Sequence, residues 1–146
     1  MHYASVVDWR WKENTIRANP SFHNRPRYDY ALVQVTPNDN KHLFVQLIRS
    51  FKVRYLGQTF SLALVLPFDV PCLQRNRGRD DALRLIRLRP RQRVRSIVID
   101  ANTIVRGGLL TPDLDSNGGE HLVIDVIDED MWRRLKTVEL VTNARI

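Results

Sequence analysis

Residues 43–69, LFVQLIRSFKVRYLGQTFSLALVLPFD, leave this chain few folds to choose from. Leu43, Val45, Leu47, Phe51, Val53 and Tyr55 fall on odd positions, interrupted by Arg49, while Gln46, Ser50, Lys52 and Arg54 take even ones. That period of two is the pattern of a half-buried strand. After Leu56 and Gly57 it restarts, with Phe60, Leu62, Leu64 and Leu66 on one face and Thr59, Ser61, Ala63 and Val65 on the other. Gly57 supplies the positive φ of a tight turn without a Cβ clash. Pro67, lacking an N–H, is expected to end the second strand. The prediction is an antiparallel hairpin. Arg49 on its apolar face requires a carboxylate partner or an opening to solvent. Otherwise the hairpin reads as a platform without chemistry of its own.

The flanking sequence extends the β pattern. Residues 28–35, YDYALVQV, read as a strand, and Thr36-Pro37-Asn38-Asp39-Asn40 as a turn, so three strands form a meander. Residues 71–81 read as a loop and 83–95 as an edge strand, or two short strands hinged at Pro90, because a helix interior rejects proline. Residues 96–99 continue extended, Ala101 and Asn102 turn, and 103–110 form a strand with Gly107-Gly108 as a bulge or close backbone approach. Residues 111–120 are a loop and 121–127 a buried strand. A short helix starts near Asp128, which can cap it, with acids at its positive end and basic residues following. Residues 137–142 read as a last strand. The expectation is a mainly β domain of about six to eight short strands, a small twisted antiparallel β-barrel or open sandwich with one or two short helices. It occupies 28–142. Residues 1–27, without sustained periodicity, read as an N-terminal arm or linker, or the start of a domain whose upstream part is missing.

At 146 residues the chain is long enough for one core without staples, and its single cysteine, Cys72, excludes an internal disulfide. Reduced surroundings, cytosol or nucleus, fit best. No run of apolar residues suggests a signal peptide or membrane span. The net charge of +7 is unevenly spread. Residues 1–71 carry nine Lys/Arg and five Asp/Glu, residues 72–106 ten Arg and three Asp, and residues 107–146 four basic and eight acidic groups. The middle segment therefore holds +7 by itself, all of it as arginine. Arginine's planar, always-charged fork matches phosphate geometry better than lysine does.

Within that segment Arg87, Arg89, Arg91, Arg93 and Arg95 fall on one parity. On a strand they would line one face over about 27 Å, at roughly 3.3 Å per residue. The candidate nucleic-acid-binding set is Arg84, Arg87, Arg89, Arg91, Arg93 and Arg95, assisted by Arg75, Arg77 and Arg79. It predicts backbone contacts, low sequence specificity and a steep salt dependence. The interleaved residues are Leu, Pro, Gln and Val, so base stacking finds no support on this element. The competing reading is a solvated edge strand, or one paired internally with the acidic C-terminal region through Asp125, Asp128 and Asp130.

Other constellations are weaker. Asp113-Leu114-Asp115-Ser116-Asn117-Gly118 imitates the start of a calcium loop, but its twelfth position is Ile124 and its flanks read as strands. Asp100, Asp113, Asp115, Asp125, Asp128 and Asp130 suggest a two-metal nuclease, yet most sit where turns and caps want them. Asp125, mid-strand, is expected to meet an arginine. His2, His23, His42 and His121 show no ligand spacing. Tyr28 and Tyr30, sharing a face under Trp9 or Trp11, would suit a methyl-lysine cage, although burial is the default for such aromatics. No nucleotide-binding, hydrolase or zinc-protease signature occurs. The reading is therefore non-enzymatic, with no metal or cofactor.

Arg25-Pro26-Arg27-Tyr28-Asp29, Ala31-Leu32-Val33, Gln46-Leu47 and residues 62–69, LALVLPFD, resemble a β-rich region near the end of certain transposase-derived proteins. These are the CACTA/Plavaka-type proteins of mushroom-forming basidiomycete fungi. Arg87-Leu88-Arg89-Pro90-Arg91, residues 104–110 (IVRGGLL) and 123–131 (VIDVIDEDM) continue the likeness in order, over roughly 22–135. The resemblance implies an accessory domain separated from its catalytic core, with a barrel of the BAH kind. It also implies a nuclear location and partners among nucleic acids, other transposase domains or chromatin proteins. It transfers no binding residue by position. The arginine density of 84–95 departs from the pattern, and no catalytic domain is present to which transposition or strand cleavage could be ascribed.

Overall fold

A computed structural model of the chain describes residues 2–7, 10–71, 77–114, 119–125 and 129–141. In chain order the elements are β1 (His2–Val7), β2 (Arg10–Thr15), β3 (Ala18–Phe22), β4 (Arg25–Tyr28), β5 (Tyr30–Gln34), β6 (Lys41–Tyr55) and β7 (Gln58–Asp69). Then follow α1 (Arg77–Leu83), β8 (Arg87–Pro90), β9 (Ile97–Asp100), β10 (Ile104–Gly108), β11 (Leu110–Pro112), β12 (His121–Val123), α2 (Glu129–Thr137) and β13 (Glu139–Leu140). Two 3-10 turns, Arg93–Arg95 and Ala101–Thr103, flank β9. The fold is mainly β, a nearly closed, barrel-like antiparallel sheet with two short helices.

The hairpin of β6 and β7 is the common wall. Tyr55 pairs with Gln58 across the two-residue turn Leu56-Gly57, whose φ values of 48° and 78° give the left-handed geometry that matches strand twist. β5 pairs with β6 over residues 42–46, and β10 pairs with β5. On the other side β9 pairs with β7 over residues 62–65. A three-residue turn joins β9 to β10, drawing the two edges of this sheet together. The enclosed core is Ile16, Ala31, Val33, Leu43, Val45, Leu47, Ala63 and Val65, with Ile97, Ile99 and Ile104 against it.

The opposite face is buried as well. β7 also pairs with β8, β8 with β12, and β12 with β11. Only Leu109 separates β11 from β10, so a bent strand links this second circuit back to β5. Its core is Leu32, Phe44, Phe68, Leu88, Leu110, Val123 and Met131. Each such Leu or Phe contributes about 1.5–3 kcal/mol by burial. Tyr30, Phe68 and His121 meet edge to face at 5.2 to 6.0 Å. Gly108 lies against Phe44, where a Cβ would come within 2.9 Å of the ring. This is the close backbone approach expected of the glycine pair, while the bulge itself falls between Ile104 and Arg106.

Several expectations are corrected. In the N-terminal region β1 pairs antiparallel with β2 and β3 with β4, and Ile16 between the two pairs enters the first core. Pro67 does not end β7. It falls between the residues paired with β9 and those paired with β8, a gap on that edge where no ladder donor is required. Residues 77–83 are helical rather than loop, in spite of Gly78. The strand expected over 121–127 is assigned only as far as Val123, and the last strand, β13, runs parallel to β6. α2 follows expectation, with Glu129 and Asp130 in its first turn, Arg134 and Lys136 in its last, and Met131 buried. The proposed cap Asp128 lies outside the described residues.

The Arg49 irregularity is resolved by a bulge. Leu47 pairs with Val65 and Arg49 with Leu64, so Ile48 is an extra residue. From that point the parity of β6 flips. Ser50, not Arg49, continues the face of Leu47, and Arg49 is turned out to solvent.

Candidate nucleic-acid interface

The arginine segment does not form one strand. β8 covers only Arg87–Pro90, and Arg93–Arg95 is a 3-10 turn, so the five arginines do not share an extended face. The exchange follows from closure of the second circuit. β8 must turn away after pairing Pro90 with Phe68, and the Arg91 N–H donates instead to the Pro67 carbonyl at 2.9 Å.

Arg87 is the most enclosed of the set, at 6% exposure. Its Nε donates to Asp80 Oδ2 at 2.6 Å, its Nη1 to the Asp113 carboxylate, and Glu120 Oε2 stands 3.6 Å away. The hydrogen bonds to Asp80 and then Asp113 push the guanidinium pKa upward, outweighing the burial that lowers it. Arg89 is half-exposed and donates to Glu120 Oε1 at 2.8 Å. Two arginines thus face three carboxylates, Asp80, Asp113 and Glu120, and this cluster presents no cationic surface. What it does is tie α1 and the loop before β12 to β8. Arg91 grips Asp69 with both prongs of its fork, at 2.8 and 2.7 Å, which raises its pKa. Arg87 is therefore removed from any phosphate-binding face by burial, and Arg89 and Arg91 are already engaged.

The other candidates are differently placed. Arg79 is exposed on α1, and Arg84 is exposed just after it, with a left-handed φ of 52°. Arg93 and Arg95 are exposed on the 3-10 turn beside β7. Arg75 lies outside the described residues, as does the side chain of Arg77. Sequence reasoning overlooked Arg49, Lys52 and Arg54, exposed along β6. Among the described residues none of Arg49, Lys52, Arg54, Arg79, Arg84, Arg93 and Arg95 makes an ion pair. The missed signal was an absence: no Asp or Glu occurs between Asp39 and Asp69.

The acidic C-terminal region does take arginine partners, but not the expected ones. Asp130 binds Arg106, which is 2% exposed, and Arg134 at 3.2 Å, clamping α2 to β10. Asp125 follows β12 rather than lying within it and makes no ion pair with a described residue. Asp113, offered as a calcium ligand, is committed to Arg87, and Asp100 caps the turn after β9 by accepting from the Asn102 N–H at 2.8 Å. Asp115, Asp128, Cys72 and Trp9 lie outside the described residues. Among the described residues no group of three His, Cys, Asp or Glu is arranged to hold a metal ion. Tyr28 and Tyr30 belong to different strands, and Tyr30 packs against Phe68 in the second core, so they do not line a common surface cage. No protein-family model, curated protein or solved structure matches the chain.

Proposed function

We propose that this chain is a non-catalytic accessory domain of a transposase-like nuclear protein, and that it binds nucleic-acid backbone. The observation that carries the reading is the set of exposed cations without carboxylate partners among the described residues, Arg49, Lys52 and Arg54 on β6 and Arg93 and Arg95 beside β9, flanking β7 from both sides. Arg79 and Arg84 extend the set. Relative to the sequence-based reading, the binding surface moves off the arginine strand and onto these positions. The aspartates invoked for a nuclease are engaged with Arg87, with Arg106 and Arg134, or in a cap wherever Asp113, Asp130 and Asp100 are concerned, which favours a non-catalytic role. The barrel architecture suits an accessory module of the BAH kind.

The test is binding of labelled nucleic acid across a salt series. Wild type should bind, and affinity should fall steeply between roughly 50 and 200 mM salt. Replacing Arg93 and Arg95 together by Ser should lower the logarithmic salt slope by about 1.4–1.8. Absence of binding at low salt to any nucleic acid would refute the reading. A second reading, a protein-interaction or chromatin-reader module, is favoured by one observation: Arg87 and Arg89 are paired with Asp113 and Glu120 of the acidic C-terminal region.

A further inference from the structure

Beyond the barrel, β6 and β7 continue as a two-stranded ribbon. β5 pairs with β6 only as far as Gln46, and β9 pairs with β7 only from Leu62, so among the described residues 51–61 form ladder pairs only with each other. Direct pairing puts Phe51 opposite Leu62, Val53 opposite Phe60 and Tyr55 opposite Gln58, all on one face. The other face carries Ser50, Lys52, Arg54, Thr59 and Ser61. The first face is apolar and open toward the turn: Val53 is 39%, Phe60 43% and Tyr55 65% exposed, while Phe51 and Leu62 are partly buried. An open apolar face of this kind calls for an occupant.

Charge and ring spacing identify its chemistry. Arg49 stands on the same face at the barrel end, while Lys52 and Arg54 project from the reverse face of the same strand. Phe51 and Tyr55 are about 13 Å apart along the strand, and Phe60 sits across from their midpoint, so the rings step by about 7 Å. Tyr55 and Phe60 make no ring contact among the described residues. Aromatic rings in a row on a sheet, with Arg49 on their face and Asp100, paired with Leu62, only at the barrel end, match what unpaired bases and their phosphates require. A duplex would offer phosphates to the cations but keep its bases from the rings. We infer that the distal β6–β7 ribbon is a binding platform for single-stranded nucleic acid. Bases stack on Tyr55, Phe60 and Phe51, Arg49 contacts phosphate on that face, and Lys52 and Arg54 add longer-range attraction from the reverse face. The inference rests on the proposed backbone binding and names its site and substrate class.

Fluorescence anisotropy with the full chain and labelled oligo-dT, oligo-rU and a duplex tests it. Wild type should prefer both single strands to the duplex. Tyr55→Ala and Phe60→Ala should each weaken oligo-dT binding by roughly 5- to 100-fold, with Tyr55→Phe close to wild type. Arg49→Ser should reduce the logarithmic salt slope by about 0.7. Urea midpoints of the variants establish that they fold. Equal affinity for duplex and single strand, or full binding by Tyr55→Ala and Phe60→Ala, overturns the platform while leaving backbone binding standing. No binding to any probe overturns both. A dimer in sedimentation that Phe60→Ser dissociates, without nucleic-acid binding, assigns the face to self-association and overturns the inference.

Discussion

Replacing Arg87 by Met tests the reassignment of the central arginine from surface contact to buried node. The Asp80 side chain is 1% exposed, and its Oδ1 has no hydrogen-bond partner among the described residues, so Arg87 Nε at 2.6 Å on Oδ2 is its compensation. Methionine keeps most of the stem volume and removes the charge, leaving a carboxylate stranded in the interior. Breaking a buried pair from one side costs about 3–5 kcal/mol. Asp113 and Glu120, 13% and 15% exposed, lose the same cation but retain some solvent. Against a total stability of about 5–15 kcal/mol the loss is severe. It corresponds to a Tm decrease of roughly 6–20 °C. Urea denaturation followed by circular dichroism measures it, with Arg89→Met as the control. Arg89 is half-exposed and its pair with Glu120 should contribute less than about 1 kcal/mol. Adding Asp80→Leu to Arg87→Met should recover much of the loss, because the stranded charge is gone. A cost for Arg87→Met below about 1 kcal/mol, as for an ordinary surface residue, would refute the buried-node account.

Two further outcomes follow from the cores. Gly108→Ala should destabilise by about 1–3 kcal/mol in the same assay, because the new Cβ meets the buried Phe44 ring at 2.9 Å; an unchanged midpoint would mean that the ring yields freely. Burial raises the pKa of Tyr30 above its ordinary value of 10.0. The folded state then holds the phenolic proton more tightly than the unfolded one, so the contribution is complete below pH 10 and is lost as pH rises through the folded value. Wild type should lose stability relative to Tyr30→Phe when urea midpoints are followed upward from neutral pH through 10, and parallel profiles would contradict this.

The sequence by itself determined the hairpin. Period-two alternation and Leu56-Gly57 specify two strands and their turn, because side chains on a strand alternate by steric necessity and a two-residue turn needs left-handed backbone. It also determined the mainly β class and the acid-to-base polarity of α2. Only the tertiary structure decided how those strands face. An extra residue at Ile48 reverses every later side chain of β6, and neither hydropathy nor propensity marks where it falls. The apolar row from Phe51 to Tyr55, which alternation assigns to the core, is thereby turned to the open face of the ribbon. The arginines make the same point. Their parity is legible, but the carboxylates that capture Arg87, Arg89 and Arg91 lie 7 to 31 residues away along the chain. Closure of the sheet brings them together, and a buried guanidinium takes the nearest carboxylate because it cannot remain unpaired.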